Sequence, residues 1–497
     1  MAHGRALQKF LATPTEDVIP KRGGETYPDC ARTKLLDSVR SAAKRVPAYG
    51  QFLSERGIEA DQVQSSELGQ IPIVNKENYF RQYSISDRCW DGNLSGADFM
   101  HCSSGSSGTP QLWPRNAQDE ITIAAWFEMI FDSFGAKEKS TFAVICLPLG
   151  SWVGGIFTIK CISYLSLKGF KITMVTPGNK PDEILQLSRD LAPLYDQTVL
   201  IGYPPFVKGV VDKGLAQSIP WPNFDIKLIL AGEVFSEEWR SLMSIRCGID
   251  KPKRSIVSIY GTADAGVIGG ETELSATLRG WFAQNPKWAL EMFGKERLPT
   301  LCQYSPDIRY MDIDPSDGTL VVSGLGEYEG AAPLLRYGIG DNGGLLSYDQ
   351  MLKFVEERGF DLGSVAGQNK KLPFVWVFGR SFWAVSVYGA NVYVENIMVG
   401  LEQEEMQAIT TGKFVLFTED DSDLNKGLAI RVELIPGKEL EEGLDAEIGE
   451  CVKKQLLRLN SEYANYVPEE RQLPRVYLYK FGSPDYFPVG VKHKYIL

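Results

Sequence analysis

No stretch of this 497-residue chain is apolar for long enough to span a bilayer, and the opening MAHGRALQKFL lacks the apolar core of a secretory leader. Neither membrane insertion nor export is therefore expected, and a reducing cytoplasm is the default setting. The 8 cysteines are scattered from Cys30 to Cys451 without a C-x-x-C pair, so neither a zinc site nor a disulfide framework is indicated. Histidine is scarcer still: His3, His101 and His493 are the whole supply, and no nucleophilic triad is supported. The chain has no G-x-x-x-x-G-K-[ST] phosphate loop and no G-x-S-x-G nucleophile elbow. Positive charge is in deficit as well. With 52 basic against 63 acidic residues the net charge is −11, which argues against nucleic acid as a partner. Internal repeats and low-complexity segments are also absent.

What is present is an ordinary globular composition, 44% hydrophobic and 23% charged. Residues 32–57 read as an amphipathic helix up to the break at RVPAYGQFL. From Thr141 onward short apolar runs alternate with helical patterns. TFAVICL (141–147), KITMV (171–175), TVLIG (198–202), IKLILAG (226–232) and SIVSIYG (255–261) are the runs. Continuous β-branched segments of this kind suit a mainly parallel sheet covered by helices on both faces. DPSDGTLVVSG (314–324) is a turn and a strand. Past Arg380 the texture changes. KFVLFT (413–418) and LAIRVELI (428–435) flank an acidic loop. Leu440, Leu444, Ile448, Val452 and Leu456 then form one helical stripe, and RVYLYK (475–480) is a last strand. The expectation is an α/β protein with a large N-terminal domain (1–379) and a small α+β C-terminal domain (380–497).

One stretch stands apart. HCSSGSSGTPQLWPR (101–115) holds only serine, glycine and threonine from Ser103 to Thr109. Small residues allow several backbone N–H groups to converge on an anion, and hydroxyls add donors. Phosphate is the natural guest, although a bare Ser/Gly run equally fits a surface loop.

SSGSSGTP (103–110) resembles the phosphate loop of adenylate-forming ligases. Four further segments match that superfamily in order: AGE (231–233), YGTAD (260–264), LLRYGIGD (334–341) and GRSFWAVSVYGANVYVENI (379–397). RVPAY (45–49), IPIVNKENYF (71–80) and GYPPF (202–206) look like its phenylacetate–coenzyme A ligase branch. The resemblance runs from about residue 39 to the end. It implies a mobile C-terminal lid domain and a two-step reaction. ATP activates a carboxylic acid as an acyl-adenylate, and a thiol, usually coenzyme A, then displaces AMP. It also assigns parts. Ser103, Ser104, Gly105, Ser106, Ser107, Gly108 and Thr109 would hold the β- and γ-phosphates. Tyr260 would stack on adenine with Gly232 and Glu233 lining the same slot, Gly261 and Thr262 would belong to the cofactor-binding set, and Asp264 would bind Mg²⁺. Asp341 would accept from the ribose hydroxyls, and Arg380 would reach ribose or phosphate. A C-terminal lysine would stabilise charge developing at the α-phosphate, either Lys492 or its rival Lys494.

Trp152, Tyr203 and Phe206 suit an aryl or arylacetyl acid pocket, or equally ordinary core packing. His101 and Cys102 read as strand-end packing. The pattern is not kept everywhere. Gln111 stands where relatives carry lysine, Asp264 where they carry glutamate and Ala263 where they carry a hydroxyl. Phe382 and Trp383 occupy the place of a hinge aspartate. The acceptor stays open between coenzyme A, an amine and a carrier-protein thiol, and a nucleotide-binding protein without turnover is the third reading. A homodimer is common in that branch.

Overall fold

The apolar runs after Thr141 form strands, and the central ones are covered on both faces, whereas the edge strand from KITMV is only partly buried. Every residue of β3 (Thr141–Cys146) and β5 (Gln197–Gly202) is buried. The computed structural model describes residues 2–19, 27–103, 111–295, 298–365, 370–380, 384–487 and 495–496. Within it the chain divides into two units. One comprises the described residues of Met1–Ser103, Leu112–Gly202 and Val210–Phe378; the other comprises those of Ser104–Gln111, Tyr203–Gly209 and Gly379–Leu497.

The first unit is built on a mixed sheet. A short pair, β1 (Phe99–Ser103) and β2 (Gln111–Arg115), precedes it. β3 is followed by β4 (Ile172–Val175), β5, β6 (Ile226–Ala231) and β7 (Ile256–Thr262). These five pair in parallel in the order β4-β3-β5-β6-β7. Their connections run through helices such as Val153–Ser166, Pro181–Leu191 and Glu237–Cys247, as βαβ crossovers require. β8 (Gly266–Gly270), β9 (Thr300–Tyr304), β10 (Arg309–Ile313), β11 (Thr319–Gly324), β12 (Tyr337–Leu346) and β13 (Phe374–Arg380) extend the same sheet. The full order is β10-β11-β12-β13-β9-β8-β7-β6-β5-β3-β4, and β7 meets β8 antiparallel. The large sheet is therefore mixed, with its parallel run at one end.

The break read at RVPAYGQFL falls at extended Val46, between the helices Tyr27–Arg45 and Pro47–Ser54. A residue before proline is pushed out of helical angles, which explains the break. Leu440 does not join the stripe of its neighbours: the helix starts at Leu444, and Leu440 is exposed.

In the second unit β14 (Ala384–Val387) pairs with β15 (Ala390–Tyr393). β16 (Thr410–Asp420), β17 (Lys426–Leu434) and β18 (Arg475–Tyr479) form a three-stranded sheet. Leu444, Ile448, Val452 and Leu456 bury one face of the helix Leu444–Leu459.

Candidate functional site

Open α/β sheets take ligands beyond the carboxyl ends of their parallel strands. Here β6 ends at Ala231, in register with Ile259 of β7. Gly232 follows with φ +84, a left-handed turn that favours glycine, and Glu233 is buried beside it. One step past the same register, β7 presents Tyr260, Gly261 and Thr262. A Cβ at Gly261 would lie 2.8 Å from the carbonyl oxygen of Gly266, so the close approach of β7 and β8 requires glycine there. Thr262 Oγ1 accepts the Ala265 N–H at 3.0 Å, which commits its hydroxyl to closing the turn 262–265.

The two downstream motifs brace one another. Tyr260 donates its hydroxyl to Asp341 Oδ2 at 2.9 Å, and Tyr337 donates to Asp264 Oδ2 at 2.6 Å. All four side chains are buried. Each motif thus supplies the phenol that holds the other's aspartate. β12 lies four places from β7 in the sheet order, so the sheet curls enough to bring Tyr337 and Asp341 to the end of β7.

Asp264 keeps one oxygen in reserve. Its Oδ1 is buried without a hydrogen-bond partner among the described residues, and Lys76 Nζ stands 3.9 Å away. Leaving a buried carboxylate oxygen without a hydrogen bond is costly, so this one has capacity for a ligand or a water. A hard oxygen donor of this kind fits Mg²⁺. Among the described residues no group of three or more acidic, His or Cys side chains gathers around a metal position. A cation here would therefore take one or two carboxylates and the substrate's own phosphates, the usual arrangement for Mg²⁺ at nucleotide sites.

Lys76 was not read as a site residue. Val74 pairs with the start of β12, donating to Arg336 O at 3.0 Å and accepting from Gly338 N at 2.9 Å. Asn75 Oδ1 then accepts from Glu77 N and Asn78 N, which starts the helical turn Lys76–Phe80 and aims Lys76 at Asp264. The cap is visible in the sequence; the partner, far along the chain, is not.

The remaining expected residues fall in different places. Ser104, Gly105, Ser106, Ser107, Gly108, Thr109, Phe382, Trp383, Lys492 and Lys494 lie outside the described residues, as do the side chains of Ser103 and Arg380. Trp152 belongs to the first unit, at the start of the helix Val153–Ser166, with its backbone bridged to Cys102. Tyr203 and Phe206 belong to the second. The Tyr203 ring lies 5.7 Å from that of Tyr466, and a Cβ at Gly389 would strike it.

His101 is fully buried on β1, its ring 4.7 Å from Phe99 and 6.2 Å from Phe157. Burial, aided by the charges of Arg115 and Lys160, pushes its pKa down to about 3. The ring stays neutral near neutral pH and is unsuited to carry a proton there. The folded state binds fewer protons than the unfolded chain, whose histidine titrates at about 6.5. Stability is therefore lost as pH falls below that value. Replacing His101 with Gln is expected to flatten the dependence of the urea midpoint on pH between about 6.5 and 4. An unchanged slope would contradict the assignment.

No family model matches the sequence, and no curated protein matches it. Solved structures do. One is a 2-hydroxyisobutyryl-CoA ligase in complex with 2-HIB-AMP and CoA in the thioesterification state: 15% identity, 98% of this chain and 93% of that chain covered, TM-score 0.65. The same ligase in the postadenylation state with R3-HIB-AMP aligns at 15% identity over 96% of this chain and 90% of that one, TM-score 0.56. An open conformation with 2-HIB-AMP and CoA aligns at 14% identity and TM-score 0.54, covering 94% and 91%. The chain has the fold of these ligases: a large mixed α/β sheet covered by helices with a smaller C-terminal β-containing unit. Among the described residues no helix is long and apolar enough to cross a membrane.

Proposed function

We propose that this protein activates a carboxylic acid with ATP and passes the acyl group to a thiol, with coenzyme A as the acceptor. The observation that carries the reading is the reciprocal brace of Tyr260 with Asp341 and Tyr337 with Asp264 at the ends of β7 and β12. It gathers the two motifs that a nucleotide site needs. The likeness to a CoA ligase fold and the serine-glycine segment 103–109 support it.

In the first step a carboxylate oxygen attacks the α-phosphorus of ATP, and the bond to pyrophosphate breaks. In the second the thiolate attacks the acyl carbon, and AMP leaves with the mixed-anhydride electrons. Tyr260 supplies an aromatic face to the adenine, beside Gly232 and Glu233. Asp341 turns from the Tyr260 hydroxyl to the ribose hydroxyls. Asp264 offers its reserved Oδ1 to Mg²⁺, which when bound neutralises polyphosphate charge. Ser103 to Thr109 hold the β- and γ-phosphates, and Arg380 the ribose or phosphate. An aryl or arylacetyl acid is the substrate class we take, on the resemblance that assigns the aromatic residues Trp152, Tyr203 and Phe206 to acyl recognition. RVPAY, IPIVNKENYF and GYPPF favour the phenylacetate–coenzyme A ligase branch.

Mass spectrometry after incubation with ATP, Mg²⁺ and a library of carboxylic acids tests the first step. A trapped acyl-AMP is the expected product, and its absence across the library sinks the reading. Adding coenzyme A, then amines, then a carrier-protein thiol identifies the acceptor. Asp341→Ala is expected to weaken ATP binding by roughly 1.5–3 kcal/mol in calorimetry, the worth of a charge-assisted hydrogen bond. Asp341→Asn, which still accepts from Tyr260, should lose less.

A further inference from the structure

Behind the turn that carries Asp264 lies a buried ion triad that the reaction scheme leaves unused. Asn116 caps the helix Ala117–Ser133 by accepting from Gln118 N and Asp119 N. That places Asp119 in the helix's first turn, where an acidic residue has an ordinary explanation as a partner for the helix dipole. Asp119 is nevertheless almost wholly buried, and so are its two partners Arg115 and Arg309. Arg115 Nη1 donates to Asp119 Oδ2 at 3.0 Å, and Arg309 Nη2 donates to Asp119 Oδ1 at 2.8 Å. Both carboxylate oxygens are used, one by each guanidinium.

Further donors of the two arginines reach the turn, while Arg309 Nη1 donates to the carbonyl oxygen of Ile308 at 3.2 Å. Arg115 Nη2 donates to the carbonyl oxygen of Ala263 at 3.0 Å and to that of Asp264 at 2.5 Å. Arg309 Nε donates to the carbonyl oxygen of Ala265 at 3.0 Å. Three consecutive carbonyls, centred on Asp264, are thus gripped by two guanidiniums whose spacing one carboxylate sets. Burial opposes charge on Asp119, yet Arg309 and Arg115 outweigh it and hold its pKa below the usual carboxylate range. Burying three charges to fix a turn is expensive, and a well-packed apolar core would hold the helix as well. What the triad uniquely fixes is the backbone from which the Asp264 side chain projects.

We infer that Asp119 is a positioning residue for the cation-binding carboxylate: through Arg115 and Arg309 it sets the turn 263–265 so that Asp264 Oδ1 faces the ligand. The inference rests on the proposal that Asp264 takes Mg²⁺ with ATP.

The test compares nucleotide binding with and without metal, in the full-length protein. Binding of Mg·ATP and of metal-free AMP in EDTA is measured by calorimetry for the wild type, Asp119→Asn and Arg309→Lys. Loss of an outer partner of a metal ligand costs on the order of tenfold or more in metal affinity. Asp119→Asn should therefore raise the Mg²⁺ concentration for half-maximal ATP binding about tenfold, with AMP affinity unchanged. Arg309→Lys keeps a positive charge beside Asp119 but loses the planar fork that also reaches Ala265, and should give a smaller shift in the same direction. It serves as the measured variant if Asp119→Asn does not fold, as circular dichroism will tell. An unshifted Mg²⁺ requirement in the folded variants overturns the inference. So does a parallel fall in AMP affinity, which marks general damage. Wild type that binds ATP without any Mg²⁺ dependence refutes the metal role of Asp264 itself, a separate failure.

Discussion

Replacing Arg336 with alanine is expected to lower the stability of the large unit by about 3–5 kcal/mol, read as a drop in the urea midpoint. Arg336 is the arginine of RYGIGD. Its guanidinium donates to the carbonyls of Leu68 at 2.8 Å, Gly69 at 3.1 Å and Ile71, and to Asp312 Oδ2 at 3.2 Å. The side chain is buried, so alanine leaves three carbonyls without their donor, at about 1–3 kcal/mol each before any water enters. Arg336 also adopts φ +47, a left-handed angle that costs an L-residue roughly 1–2 kcal/mol. Arg336→Gly should therefore lose the same hydrogen bonds yet recover part of that strain, ending about 1 kcal/mol above the alanine variant. The order Arg, Gly, Ala is the diagnostic. If alanine and glycine fall together, backbone strain is not part of the account; if neither falls, the hydrogen bonds are not holding the loop. Because Val74 hangs from the Arg336 carbonyl and Lys76 follows it, the same change should loosen Lys76 from Asp264.

Arg336 also shows how far the sequence could be read. Strands β3, β5, β6 and β7 were legible because covered parallel strands need continuous branched and apolar residues, as in TFAVIC and TVLIG. Most of the antiparallel half was not. GVIGG (266–270) and YGIGDNGGLL (337–346) are interrupted by glycines, and RYMDI (309–313) mixes charge into a short strand. Those residues are there for reasons local periodicity does not register. A Cβ at Gly269 would lie 2.5 Å from the carbonyl oxygen of Gln303, and one at Gly343 would lie 2.2 Å from that of Trp376. The same limit applies at the site. Tyr260, Asp264 and Asp341 were given roles because of the motifs they sit in. Tyr337 sits in LLRYGIGD as well but was given no role, and Lys76 and Asp119 each have an adequate local explanation: a residue after a helix cap and a first-turn acid. Long-range partnership leaves no mark on local spacing.

The largest kinetic effect is expected from the C-terminal lysines. The tail FPVGVKHKYIL offers Lys492 and Lys494, and the proposed adenylation step would need a positive charge where the α-phosphate and the attacking carboxylate meet. A preorganised charge at such a point contributes about 10²–10³-fold in rate where water is excluded. Gln111, just after the proline of the serine-glycine segment, brings no positive charge of its own. The positive charge seen beside Asp264 belongs to Lys76, and at 3.9 Å it is partly spent on that carboxylate. Lys492→Ala is therefore expected to slow acid-dependent pyrophosphate release by about 10²–10³-fold, with Lys494→Ala mild. The reverse pattern transfers the role to Lys494. Arginine should not rescue fully, because a planar fork is a poor replacement for a compact ammonium. The second half-reaction separates this role from damage. Given preformed acyl-adenylate, the lysine variant should still form thioester at the normal rate, because no pentacoordinate phosphorus arises in that step. If pyrophosphate release survives the single and the double replacement, the charge at the α-phosphate must come from elsewhere in the site.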